Sequence, residues 1–142
     1  MTRIRRAELI LAGLGIIVGI CGLVAARDLD FTAAAGGVLF ERSDDLIWGK
    51  LLQFSPLGAI VTIVLASVAM LGAWFRVRAL VLIAAGGFAV CALQVIVQFG
   101  RSDNVFGVRG GNLALFLAMA VGLVTLALAD AGEMADAQVA SA

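Results

Sequence analysis

The sequence predicts an all-α integral membrane protein: a compact antiparallel bundle of four transmembrane helices, with a short interfacial helix in the first outer loop. Three observations predict it. Four apolar runs, residues 9–26, 57–75, 79–99 and 113–129, take up most of the 142-residue chain. Each can cross a hydrocarbon layer of ~30 Å at about 1.5 Å per residue. Hydrophobic residues make up 63% of the chain, more than a water-soluble domain of this size can bury.

The first span is read over 8–26. Arg3, Arg5 and Arg6 ahead of it, and Val24-Ala25-Ala26 at its end, imitate a secretory leader. The apolar stretch is longer than the ~7–15 residues of such a leader, so it is read as a retained span. Span two is read over 56–75: Ser55 as N-cap and Pro56 at the first helical position form a helix-start signal. Trp74 and Phe75 close it as an aromatic belt. Span three is read over 79–99 and span four over 112–130, with Asn112 as a candidate cap. Residues 132–142 then form a short, acidic, frayed tail.

Residues 27–55 make the longest link and the first outer loop. Loops of that length usually carry structure or function. Ser43 can cap a helix whose first turn holds Asp44 and Asp45. Over 46–54, Ile47, Trp48, Leu51 and Leu52 fall on one helical face, opposite Asp45, Gly49, Lys50 and Gln53. That pattern predicts a helix lying at the outer interface, with Trp48 at headgroup level. Residues 31–42 stay open: Thr32 and three alanines could begin a helix, and Gly36-Gly37 weaken it. Residues 100–111 read as an irregular, glycine-rich outer loop.

Basic residues tie between the two sides, five against five. Arg3, Arg5, Arg6, Arg76 and Arg78 are compact and abut the spans; Arg27, Arg42, Lys50, Arg101 and Arg109 are dispersed among acids. Density places both termini in the cytoplasm. Nine Arg against one Lys, with abundant Ala, Val and Gly, suggests a high-GC bacterial genome and hence the bacterial cytoplasmic membrane.

Each span carries a row of small or weakly polar residues at helical spacing. The rows are Ala12, Gly15, Gly19, Gly22 and Ala26; Ala59, Thr62, Ala66, Ala69 and Ala73; Ala84, Gly87, Cys91, Gln94 and Gln98; and Gly111, Ala118, Gly122, Thr125 and Ala129, with Leu115 in one place. In lipid, helices associate through close backbone approach, which small residues permit. Gly15, Gly19 and Gly22 are therefore a candidate helix-packing or partner face, serving the bundle or a homodimer. Gln94 and Gln98, one turn apart, should face protein or water, bonding between helices or lining a polar path.

The chemistry-bearing residues are scarce. The chain has no His and no Tyr, which argues against bis-histidine haem, catalytic zinc and histidine triads. Cys21 and Cys91 form no C-x-x-C pair, although they could face each other at similar depth. Glu8 reads as an interfacial carboxylate beside Arg5 and Arg6, and Asp130 as a partner for Arg76 or Arg78. Zero net charge offers no field for nucleic acid. No phosphate loop, dinucleotide fingerprint, nucleophile elbow or paired catalytic carboxylates are present. No catalytic residue, cofactor or metal site is assigned. The first expectation is a non-catalytic accessory, assembly or stabilising subunit, with the bilayer and a membrane-protein partner or a second copy as its contacts. The alternative is a small oligomeric transporter or channel-like protein with a polar path near Gln94 and Gln98.

Overall fold

The computed structural model describes residues 3–28, 37–38, 52–98 and 110–140. Their element order is α1 (Arg3–Ala25), β1 (Gly37–Val38), β2 (Gln53–Phe54), α2 (Pro56–Phe75), α3 (Arg78–Val97) and α4 (Gly110–Ala140). All four helices are long and apolar enough to cross a membrane. They form a bundle in which α1 and α3 each pack against both α2 and α4.

Local chemistry sets the ends of α2. The Ser55 side chain accepts a hydrogen bond from the Gly58 N–H at 2.9 Å, and Pro56 opens the first turn. The far end stops at Arg76, which adopts the left-handed conformation at φ 64°. Over it, the Val77 N–H reaches back to the Gly72 carbonyl at 2.9 Å. Glycine usually fills such a position, because a Cβ there crowds the backbone. α3 starts two residues later.

The seam between α1 and α2 is built on small residues. Ala12, Ala59, Ala66, Ala69 and Ala73 are buried, with Gly15, Gly19 and Gly22. The register runs in opposite chain senses. Gly13 lies by Met70, Gly15 by Ala66, Gly19 by Ile63 and Ala59, and Gly22 by Phe54. At Gly19 a Cβ would stand 2.6 Å from Ile63 Cγ1, 3.2 Å from the Ile63 nitrogen and 3.3 Å from the Ala59 carbonyl oxygen. Backbone meets backbone there with no room for a methyl.

The other side of the core uses large residues. Phe88, Val81 and Val95 of α3 face Phe116, Leu123 and Met119 of α4, all buried. The Phe88 and Phe116 rings stack with centroids 6.3 Å apart.

This corrects the small-residue row expected on α4. Ala118, Thr125 and Ala129 are exposed, Gly111, Leu115 and Gly122 are half-buried, and the inward face carries Asn112, Phe116, Met119, Ala120, Leu123 and Ala127. Thr125 satisfies its hydroxyl within its own helix, donating to the Val121 carbonyl at 2.8 Å. A bundle with small residues on every facing surface would leave its axis unfilled. Phe88, Phe116 and Leu123 supply that volume.

Three boundaries also differ from expectation. Asn112 lies in the first turn of α4, which starts at Gly110, so it is not the cap. α4 runs 31 residues, through 132–140, where a frayed tail is expected. Ala131, Glu133, Met134, Ala135 and Gln138 all favour helix, and nothing after Gly132 breaks it. Gln53 and Phe54, expected to end the interfacial helix, are extended. They pair antiparallel with β1, Gly37 opposite Phe54 and Val38 opposite Gln53.

Two outcomes test this packing. Gly19→Ala should destabilise the fold by about 1–3 kcal/mol, because neither Ile63 nor the α2 backbone can yield freely. Gly86→Ala, with nothing within 4 Å of its Cβ position, should be neutral or stabilising, by up to about 1 kcal/mol. Thermal unfolding in mild detergent separates the pair. Arg76→Gly should raise the midpoint in the same assay, since the left-handed residue costs Arg roughly 1 kcal/mol.

Candidate functional site

The glycine face of α1 is covered inside the bundle. A Cβ on Gly15 would stand 2.7 Å from the Met119 methyl and 3.0 Å from the Ala66 Cβ, and one on Gly22 would stand 2.7 Å from the Phe54 ring. These three glycines thus lie against α2, α4 and β2 of the same chain. The surface α1 leaves outward is aliphatic: Ile10, Leu14, Ile17, Ile20 and Val24 are all about half or more exposed. α3 adds a second such strip, with Leu82, Ile83, Val90, Leu93 and Val97.

Phe54 connects the bundle to the link between α1 and α2. Its ring is fully buried against Gly22, and its backbone pairs with Gly37. Of the residues assigned to the outer interfacial helix, Leu52 is half-buried. Ile47, Trp48 and Leu51 lie outside the described residues.

Polar groups gather at the end of the bundle that holds the start of α2 and α4 and the finish of α3. Ser55 and Asn112 are fully buried there, and both are hydrogen-bonded or otherwise partnered. Gln94 and Gln98 are half-buried on the last two turns of α3. The Gln98 backbone N–H closes the helix onto the Gln94 carbonyl at 3.0 Å. Thr62, a candidate partner for the glutamines, donates its hydroxyl to the Gly58 carbonyl at 2.8 Å. Its hydrogen is therefore spent inside α2. Below this level the axis is apolar.

The opposite end differs. Glu8 is 5% exposed, turned into the bundle rather than lying at its rim. It couples electrostatically to Asp130 of α4 and to Arg5 one turn before it. The expected ion pair of Asp130 with Arg76 or Arg78 is not formed among the described residues.

Cys21 is exposed on α1 and Cys91 is buried on α3; both are free thiols. They cannot face each other, because α1 and α3 are separated by α2 and α4 in the bundle order. Among the described residues, no three Cys, Asp or Glu side chains come together as a metal centre would require. Comparison with protein-family models, with curated proteins and with solved structures finds no match, so the functional reading rests on these residues alone.

Asn112→Leu should cost about 1–3 kcal/mol, because a buried polar partner is left behind. Gln94→Leu should change the unfolding midpoint far less, since its amide is half-exposed. A comparison of unfolding midpoints checks both.

Proposed function

We propose that this chain is a four-span membrane protein with antiparallel helices, acting as a non-catalytic accessory or stabilising subunit of a larger complex in the bacterial cytoplasmic membrane. The observation that carries the reading is the filled axis. Phe88, Phe116, Leu123, Val81 and Val95 are at most 2% exposed, and Thr62 spends its hydroxyl within its own helix. A solute path needs aligned polar groups or a water-filled lumen, and this axis supplies neither along its apolar stretch. Glu8 is buried in the second turn of α1, but no Asp, Glu, Lys or Arg lies at the middle of a span, where proton-coupled carriers generally place one.

Antiparallel packing is supported by the opposed register of α1 with α2, and by Gly72 meeting Val81 across the α2–α3 link. Insertion is supported by the four apolar helices and their exposed aliphatic strips. The dense arginines at one end favour cytoplasmic termini. The aliphatic strips of α1 and α3, together with the loop held by Phe54, are the surfaces left for a membrane-protein partner or a second copy.

Gentle solubilisation at native expression should give a co-eluting second protein in a species larger than the monomer. A lone monomer would overturn the assignment. Proteoliposomes holding the pure protein should show no solute flux. Flux abolished by Gln94→Leu with Gln98→Leu would instead establish a polar path. A fluorescent protein fused to the C-terminus should fluoresce, as it does only in the cytoplasm.

A further inference from the structure

The turn joining α2 and α3 is cationic and apolar at once. Trp74 and Phe75 are 68% and 64% exposed, and Val77 is exposed beside them. Arg76, left-handed at the end of α2, is exposed, and Arg78 follows on the first turn of α3. The Arg78 Nε is buried and meets no hydrogen-bond acceptor in the protein. Among the described residues, neither Arg76 nor Arg78 has an ion pair or side-chain hydrogen bond, with Asp130 or with any other acid. The register of α1 on α2 brings Arg3 and Arg6, both exposed, to the same end of the bundle.

An unpaired, partly covered guanidinium is costly, and its planar fork suits a phosphate. Exposed Trp and Phe at the same level suit the boundary between acyl chains and headgroups. We propose that the corner formed by Trp74, Phe75, Arg76, Val77 and Arg78 binds the headgroup of an anionic phospholipid. The aromatic rings and Val77 enter the acyl boundary, and the two guanidiniums hold the phosphate. A water-soluble acidic partner would satisfy the arginines and leave those rings in water. The inference rests on the membrane reading and goes beyond the accessory role, which concerns the strips of α1 and α3.

The test uses the full chain reconstituted in vesicles of phosphatidylglycerol and phosphatidylcholine in equal amounts, then released in mild detergent for native mass spectrometry. Wild-type protein should retain phosphatidylglycerol in preference to phosphatidylcholine. Arg76→Gln with Arg78→Gln should lower that preference by about 30-fold, the loss expected for two cations at a charged surface. Arg27→Gln, at the opposite end, should leave it unchanged. Each single variant should lose part of the preference, which keeps the test open if the double variant does not fold. Equal retention of both lipids, or a double variant that matches wild type, overturns the site. So does displacement by inorganic phosphate alone, which would mark a general phosphate site, or by an acidic peptide. Resistance to alkaline extraction from the same vesicles is read separately. A chain that is extracted overturns the membrane reading itself, whereas one that stays inserted without lipid preference overturns only the lipid site.

Discussion

The contact of Gly19 with the backbone of α2 is the constraint on which the other contacts depend. With no side chain on Gly19, α1 and α2 approach until Ile63 Cγ1 lies 2.6 Å, and the Ile63 nitrogen and Ala59 carbonyl oxygen 3.2 and 3.3 Å, from where a methyl group would be. That proximity sets the depth of α1 along α2. It therefore brings Gly22 to the ring of Phe54 and Gly15 to Ala66. Phe54 in turn carries the two-residue pairing with Gly37–Val38, so the glycine-lined seam reaches the link between α1 and α2 as well. In a lipid solvent, hydrophobic burial between helices contributes little, and small residues gain attraction through close approach of this kind.

A seam that close on one side obliges the bundle to spend volume on the other. α3 and α4 do so with Phe88, Phe116 and Leu123, whose side chains fill the axis that alanines and glycines leave open. The result is a closed apolar interior with polar groups confined to its ends. This division is the strongest structural argument against a conduit, and it directs attention to surfaces instead.

The two ends are chemically unlike. One buries Ser55 and Asn112 in partnered positions and places two glutamines half in contact with solvent or lipid. The other buries Glu8 and, among the described residues, leaves Arg76 and Arg78 without an ion pair beside the exposed rings of Trp74 and Phe75.

Much of the architecture was legible in the chain itself. The four apolar runs specify four long helices because spans are set by local composition and length. Ser55-Pro56 specifies the start of α2 because capping is satisfied within four residues. The faces of α1 and α2 were also legible, since their small residues recur at helical period and close approach tolerates little else. What the tertiary structure decided was which face of α4 turns inward, that Glu8 is buried, and that Gln53 and Phe54 are extended rather than helical. Each depends on a partner distant in sequence. A row of small residues on α4 is as compatible with an outer surface as with a seam, and only the space left by α1 and α2 selects Phe116 and Leu123 for the interior.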